Sequence, residues 1–217
     1  MQRRIAIVVV MLLCSAARSR AADSKVVVEL FTSQGCSSCP PADALLSELA
    51  RNPNVIPLAF HVDYWDHLGW RDPFSSRQWS ERQVAYVRTM KLGGAYTPQA
   101  VVNGEREMVG SDRSALNDAI ARASREKRDA SVTLDRGVAR GSTPRELDLI
   151  AVVVRSDAAT AVKAGENSGR TLRNDAVVRE LKRIARVRGT FENPVGAANV
   201  VFLQDPKTLR IDAAATR

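Results

Sequence analysis

The 217-residue chain has room for one large domain, or for a domain of about 100–130 residues with a smaller companion. Hydrophobic residues make up 45% and charged residues 26%, which excludes a disordered or fibrous chain. The formal net charge is +8, but basic and acidic residues are interspersed, so no basic stripe indicates nucleic-acid binding.

Residues 1–21 have the features of a secretory signal peptide. Two arginines precede the ten-residue apolar run Ile5–Cys14, and the small residues Ser19 and Ala21 suit cleavage before Ala22. The run is too short for a membrane span, which needs about 20 residues. Lipid attachment at Cys14 is disfavoured because large residues precede it.

Cleavage would change both the charge and the cysteine content. It would leave 28 basic and 24 acidic residues, a net charge of +4. It would also remove Cys14, so the mature chain would hold the single pair Cys36 and Cys39. We therefore expect a periplasmic or secreted protein without a membrane span, in a compartment where disulfides persist.

Cys36 and Cys39 lie between a strand pattern and a helix pattern. The almost continuous β-branched run Lys25–Thr32 is typical of a buried central strand, and apolar residues recur at helical spacing from Ala42 to Ala50. Two cysteines at this spacing can form an inert disulfide, act as a redox dithiol or hold a metal. The motif alone leaves these alternatives open.

The next segments predict a βαβ unit followed by a second helix. Apolar residues from Val55 to Val62 predict a strand that pairs in parallel with the first. Residues 64–73 have no regular pattern. Asp72 then fits the N-cap of a helix that begins at Pro73 and runs to about Leu92.

A hairpin and a third helix complete this part of the chain. Asn103-Gly104 lies between two short β-capable segments, and both residues tolerate the positive φ of a tight turn. Ser111 or Asp112 fits the N-cap of a helix whose apolar residues continue to Ala123. The predicted order is β-α-β-α-β-β-α.

This order, with a CxxC after the first strand and Thr97-Pro98 at the start of the third, resembles the α/β thioredoxin-like fold. The segments ELFTSQGCSSCPPAD, HVDYWDHLGW, DPFSSRQW and YTPQ more narrowly resemble a bacterial family of secreted proteins, domain of unknown function 1223. GENSGRTL and VVFLQD extend this likeness over the mature chain. The resemblance implies that Pro98 is cis and faces the cysteines.

From about residue 130 the chain becomes rich in strand patterns. We therefore predict a thioredoxin-like domain at 22–129 and a small antiparallel β domain at 130–217. Its predicted strands are Ser131–Leu134, Glu146–Val154, Val200–Leu203 and Leu209–Ala213. Residues 177–187 fit both the helical and the strand periodicity, and their β-branched content favours a strand.

In a dithiol site of this type the first cysteine is the exposed nucleophile, so Cys36 is assigned attack and Cys39 resolution of the mixed disulfide. A helix N-terminus stabilises the attacking thiolate through its free N–H groups. Pro40 and Pro41 remove two such donors, so the motif does not predict the reduction potential.

Four further residues are candidates for binding a substrate. Thr97 and Pro98 would expose a backbone edge for pairing with a peptide. Most aromatic residues between 64 and 96 should pack the irregular segment onto its helix, but Tyr64 and Trp65 could form an apolar platform beside the cysteines.

Glu29 and His61 are candidates for proton transfer. A carboxylate in the buried strand could shuttle the proton of Cys39. Alternatively, Glu29 could face solvent or pair with a basic residue of the second domain. His61 could exchange protons with the thiols, join Cys36 and Cys39 around copper or zinc, or simply be a hydrogen-bonded packed residue.

The sequence therefore predicts a secreted thiol–disulfide oxidoreductase, or a redox-linked relative, that needs no cofactor. Its partner would be a protein or small-molecule thiol or disulfide in the cell envelope. One alternative is an envelope protein for metal binding or assembly that uses the same cysteines. Another is a non-catalytic thioredoxin-like binding module, which a fully buried Cys36 would favour.

Overall fold

The structure is a computed structural model that describes residues 25–156 and 158–217. The predicted signal peptide, residues 1–21, lies outside the described residues. In the part of the chain that is described, no helix combines the length and apolar character needed to cross a membrane.

Strands and helices alternate in the first half of the chain as predicted. The elements are β1 (Val26–Thr32), α1 (Pro40–Leu49), β2 (Val55–His61), α2 (Arg77–Met90), β3 (Gln99–Val102), β4 (Arg106–Val109) and α3 (Arg113–Ala123). β1 pairs in parallel with β2 and antiparallel with β3, which pairs antiparallel with β4. This confirms the thioredoxin-like α/β class and the predicted element order.

Both faces of β1 are covered, which explains its continuous apolar sequence. Because side chains alternate across a strand, Val26, Val28 and Leu30 share one face, where they pack with residues of α1 and α3. Val27 and Phe31 share the other face, where they pack with residues of α2 and of the C-terminal strands. Glu29 has the parity of Val27 and Phe31, so it lies on the α2 face.

The second half of the chain consists of strands. They are β5 (Ser131–Asp135), β6 (Val138–Arg155), β7 (Ala158–Ala161), β8 (Thr171–Asn174), β9 (Val177–Pro194), β10 (Val200–Gln204) and β11 (Ile211–Thr216). The strand favoured at 177–187 is confirmed as part of β9. The short hairpin formed by β7 and β8 was not predicted from the sequence.

One nine-stranded sheet passes through both halves of the chain. Its order is β11-β10-β6-β9-β2-β1-β3-β4, with β5 paired to β6. The two halves meet where β9 lies parallel to β2, with Val177 opposite Ala59. The predicted domain boundary at residue 129 stays a prediction.

The predicted start of α2 was wrong. The helix begins at Arg77, and its N-cap is Ser76, whose hydroxyl accepts a hydrogen bond from the Gln78 N–H. Asp72 lies in the turn before the helix, where its carboxylate accepts N–H groups from Phe74 and from Gln34. The local Asp-Pro signal was outweighed by this contact with a distant part of the chain.

Three other predictions were confirmed. The Thr97-Pro98 peptide bond is cis. Asn103 and Gly104 both have positive φ in the turn between β3 and β4. Asp112 is the N-cap of α3, with its carboxylate accepting the Ala115 N–H.

Candidate functional site at the start of α1

Cys36 and Cys39 form a disulfide in the turn between β1 and α1. Cys39 is the N-cap of α1, and its Cα lies 5.5 Å from that of Cys36. Both cysteines are 0% exposed, whereas Ser37 and Ser38 between them are exposed. The prediction that Cys36 is exposed was therefore wrong for this oxidised state.

The cis peptide lies next to the disulfide, as predicted. Cys36 Sγ is 3.9 Å from the carbonyl oxygen of Thr97 and 3.2 Å from the hydroxyl oxygen of Ser38. The indole Nε1–H of Trp65 donates to Thr97 Oγ1 at 2.8 Å. The structure thus brings Trp65, Thr97 and Pro98 together beside Cys36.

Tyr64 contacts both α2 and Thr97. Its hydroxyl donates to Gln83 Oε1 in α2 at 3.1 Å, and burial raises the pKa of the phenol. The side chain of Thr97 offsets part of this rise, so the Tyr64 hydroxyl also lies near a residue beside Cys36, and the role of Tyr64 in a platform beside the cysteines stays a prediction.

A buried polar cluster lies under α1. Thr32 and His61 are paired residues at the ends of β1 and β2, and Asp43 lies one helical turn after Cys39. His61 Nδ1 is 2.7 Å from Asp72 Oδ2. Among the described residues, no hydrogen-bond partner is found for Thr32 Oγ1, Asp43 Oδ1 or His61 Nε2, although all three atoms are buried. Such unsatisfied atoms are uncommon in protein interiors.

Burial dominates the electrostatics of Asp43. It raises the pKa of this carboxyl to about 6, and the nearby His61 and Thr32 offset only part of the effect. Burial also acts to raise the pKa of Asp72, but the charge and hydrogen bond of His61 and the N–H groups of Gln34 and Phe74 outweigh it. The net pKa of Asp72 lies below its usual value, so at mildly acidic pH Asp43 holds a proton that Asp72 has lost.

Glu29 is fully buried and bonded to α2. Its carboxylate accepts from Arg82 Nε at 2.6 Å, from Arg82 Nη2 at 2.9 Å and from the Tyr86 hydroxyl at 2.6 Å. Both alternatives considered for Glu29, solvent exposure and a basic partner in the second domain, were therefore wrong. Its role as proton shuttle for Cys39 stays a prediction, and the contacts do not support it because α1 covers the opposite face of the sheet.

His61 is a buried, hydrogen-bonded residue in contact with Asp72 and with the ring of Phe74. The described residues contain no group of three or more His, Cys, Asp or Glu side chains arranged to hold a metal ion. The metal site predicted as an alternative therefore stays a prediction, and no additional ligand for it was found in the described part of the chain.

Sequence reasoning did not identify the residues that hold the turn from Gln34 to Ser37. Asn167, in the loop between β7 and β8, donates from Nδ2 to the carbonyl oxygens of Gln34 and Cys36, each at 2.9 Å. Its neighbour Glu166 accepts the Ser37 N–H at 2.8 Å. The available signal was the polar pair Glu166-Asn167 between two glycines, Gly165 and Gly169. No local pattern relates this pair to a turn about 130 residues earlier in the chain.

Asp43 was also missed, although a signal existed. It follows Cys39 by four residues in the predicted helix, so the two side chains share a face. A carboxylate among the apolar residues of that face could have been recognised as buried.

Comparisons with known proteins agree with this architecture. A family model described as "Protein of unknown function (DUF1223)" matches residues 27–210. A thioredoxin from Methanocaldococcus jannaschii is 33% identical over 98 residues, which cover 45% of this chain and 94% of that protein.

Solved structures extend the likeness to both halves of the chain. The protein AGR_C_4864 from Agrobacterium tumefaciens has a TM-score of 0.74 at 29% identity, covering 89% of this chain and 92% of that one. HBP35 of Porphyromonas gingivalis has a TM-score of 0.63 at 15% identity, covering 90% of this chain and 75% of that one, a likeness of fold alone. Since the family model matches most of its length, the chain belongs to the family of proteins of unknown function DUF1223, with a thioredoxin-like arrangement around its CxxC.

Proposed function

We propose that this protein is a thiol–disulfide oxidoreductase in which Cys36 and Cys39 alternate between a disulfide and a dithiol. The observation that carries the proposal is the disulfide at the junction of β1 and α1, with the cis Thr97-Pro98 peptide beside Cys36. The 33% identity to a thioredoxin supports the same type of chemistry.

The proposed reaction exchanges two electrons with a partner dithiol. When the partner reduces the Cys36–Cys39 disulfide, a partner thiolate attacks Cys36 Sγ. The Cys36–Cys39 bond breaks, and Cys39 leaves as a thiolate. The second partner thiol, after losing its proton, attacks the mixed disulfide and releases Cys36, so the partner is oxidised. In the opposite direction, the Cys36 thiolate attacks a partner disulfide and Cys39 resolves the intermediate.

Asp43 is the proposed proton donor to the Cys39 thiolate. It lies one turn after Cys39 in α1, and burial raises its pKa to about 6, so part of the population carries a proton near neutral pH. His61 shares this buried region and has a ring nitrogen without a hydrogen-bond partner among the described residues, so it is a candidate for passing the proton onward.

We further propose that the partner is a protein or small-molecule thiol or disulfide of the cell envelope. The signal-peptide pattern of residues 1–21 supports this location. Trp65 and Thr97, half-buried beside Cys36, are the proposed contact residues for the partner. Subcellular fractionation of the native protein tests the location.

The burial of Cys36 favours a second candidate function, a non-catalytic binding module. A sulfur that is 0% exposed cannot be attacked without movement of the residues that cover it. In this case the disulfide would stay oxidised and would hold only a small loop.

A trapping experiment with the mature chain distinguishes the two functions. Cys39→Ser leaves Cys36 as the only cysteine, so an oxidoreductase accumulates mixed disulfides when it is incubated with an envelope extract. Cys36→Ser is the matched control, because it keeps one cysteine but removes the attacking thiol. If neither variant forms adducts and the wild-type pair has no reversible redox couple, the binding-module function is favoured instead.

A further inference from the structure

The loop of the β7–β8 hairpin, residues 162–170, lies directly on the disulfide turn. Asn167 is fully buried, and its Nδ2 donates to the carbonyl oxygens of Gln34 and Cys36, at 2.9 Å each. Arg170 Nη1 donates to the other end of this amide, Asn167 Oδ1, at 2.9 Å. One side chain from the C-terminal half of the chain thus bonds to one peptide group before Cys36 and to the one directly after it.

The hairpin is also held against the segment 65–70. Gly165 has a φ of +73°, and a Cβ at this position would lie 3.1 Å from Trp70 Cβ, so the two backbones approach closely. The Trp70 indole donates to Gln34 Oε1 at 3.3 Å, and Gln34 Nε2 donates to Asn174 Oδ1 in β8 at 2.8 Å. The position of the loop is therefore defined by contacts on both sides of the turn.

Glu166 brings a negative charge to the start of α1. Its carboxylate accepts the Ser37 N–H at 2.8 Å, and the hydrogen bonds of Ser37 lower the pKa of Glu166, so it is ionised at neutral pH. Pro40 and Pro41 carry no N–H, and the Cys39 N–H donates to the Cys36 carbonyl at 3.2 Å. Few backbone N–H groups remain to stabilise a Cys36 thiolate, and one of them, that of Ser37, is bonded to the Glu166 carboxylate.

We propose that this hairpin regulates the redox site: Asn167 keeps Cys36 covered, and Glu166 favours the disulfide over the dithiol by opposing the Cys36 thiolate. The inference rests on the proposed thiol–disulfide function and concerns the regulation of that same site. A partner that displaces the loop would expose the sulfur and remove the opposing charge in one movement.

The charge effect is tested with Glu166→Gln in the full mature chain. The amide can still accept the Ser37 N–H but carries no charge, so the thiolate becomes more favourable. In equilibrium with reduced and oxidised dithiothreitol, the dithiol form should increase about three- to tenfold, where tenfold corresponds to ~30 mV. The thiolate pKa of Cys36, measured by the pH dependence of alkylation, should fall.

The matched control is Glu146→Gln, which removes the same charge from an exposed residue of β6. It should leave both the equilibrium and the thiolate pKa at their wild-type values. Among the described residues, Asp72 accepts the Gln34 N–H, Arg170 donates to Asn167, and Asp43 lies one helical turn after Cys39; both variants leave these groups unchanged.

The covering effect is tested with Asn167→Ala. Loss of both hydrogen bonds should raise the rate of disulfide reduction by dithiothreitol about tenfold or more, since Cys36 becomes accessible more often. An unchanged rate would overturn the covering role. If this variant does not fold, the exposed Glu166 substitution still decides the proposal.

The measurements distinguish a failure of the regulatory inference from a failure of the oxidoreductase proposal. If the wild-type pair titrates reversibly but Glu166→Gln behaves like wild type, the regulatory inference is overturned while the oxidoreductase proposal stands. If the wild-type pair has no reversible couple, the oxidoreductase proposal fails and this inference with it.

Discussion

At the residue scale, Asp43 links the stability of the protein to pH. Its pKa is about 6 in the folded protein, because of burial, against an ordinary value of 3.8. Below pH 3.8 both the folded and the unfolded chain hold the proton, so the ionisation of Asp43 does not change the free energy of unfolding. As pH rises from 3.8 to about 6, the unfolded chain loses this proton while the folded chain keeps it, so stability falls by up to about 3 kcal/mol for a shift of this size and stays at that lower level at higher pH.

Replacing Asp43 by Asn should remove this dependence. At pH 7.5 the variant should be up to about 3 kcal/mol more stable than wild type, whereas near pH 4 the two should be nearly equal. Urea unfolding of the oxidised proteins at both pH values measures the difference. An equal difference at the two pH values would show that Asp43 does not titrate in this range.

The same substitution tests the role of Asp43 in proton transfer. Because Asn cannot donate a proton to Cys39, the reduction rate at neutral pH should fall and its dependence on pH near 6 should disappear. His61→Gln, a change in the same cluster, is the comparison variant. A pH profile identical to that of wild type would exclude Asp43 as the donor.

The buried ion pair of Glu29 with Arg82 has a structural role. Arg82 also contacts the rings of Phe60, Tyr86 and Phe202, and its Nη1 donates to Gln204 at 3.3 Å. Burial acts to lower the pKa of Arg82, but the Glu29 carboxylate and Tyr86 outweigh it and raise that pKa, so Arg82 is charged in the folded protein. This network joins β1, α2 and β10 on the face of the sheet opposite α1.

Glu29→Gln should destabilise the protein by about 3–5 kcal/mol, since it leaves the buried Arg82 charge without its partner. Chemical denaturation measures this loss. If the role is structural, the reduction potential of Cys36–Cys39 should not change, whereas a role as proton shuttle requires the pH profile of reduction to change.

At the element scale, the start of α2 illustrates how a distant contact overrides a local signal. Asp72 and Pro73 form an ordinary helix-start pattern, but the Asp72 carboxylate bonds to His61 and to Gln34, which lies two residues before Cys36. Ser76 then takes over the capping role, and its backbone N–H donates to the carbonyl of His61 at 3.0 Å. The helix therefore begins four residues later than the pattern predicts.

Ser76→Ala should cost about 1 kcal/mol, because the Gln78 N–H loses its capping partner. Thermal unfolding measures the loss. Ser114→Ala, at an exposed position inside α3, is the control and should not destabilise, since Ala favours helix. A similar loss in both variants would contradict the assignment of Ser76 as the cap.

At the scale of the whole molecule, the two halves of the chain share a core. The cluster around Phe31 and Tyr86 also contains residues of β6, β9, β10 and β11, among them Val152, Val178 and Phe202. The backbone adds a hydrogen bond from the Ala59 N–H to the Ala176 carbonyl at 2.8 Å. The face of β1 and β2 that carries Glu29 is thus closed by C-terminal strands.

A fragment of residues 22–129, the predicted first domain, tests whether this half is independent. Without the C-terminal strands it would expose the apolar face around Phe31, so we expect it not to unfold cooperatively and to aggregate. Circular dichroism and gel filtration measure both properties. A monomeric fragment with a cooperative transition would establish the boundary at 129 as a domain boundary.

Much of the fold could be predicted because its signals are local. The buried β1, the turn at Asn103-Gly104 and the cap Asp112 each depend on residue types within a few positions of one another. The strand at 177–187 was harder, since its residues fit two periodicities and only pairing with β6 decides between them. The β7–β8 hairpin has strands of four residues, too short for a clear pattern.

The sequence by itself determined the CxxC at a strand–helix junction, the proline beside it and the α/β order of the first half. Only the tertiary structure decided that Cys36 is covered, that Glu29 pairs with Arg82 of α2, and that Asp43 lies near His61 and Thr32. The physical reason is the separation along the chain. Asn167 and Gln34 are 133 residues apart, and no local periodicity records which distant side chain supplies a buried hydrogen bond.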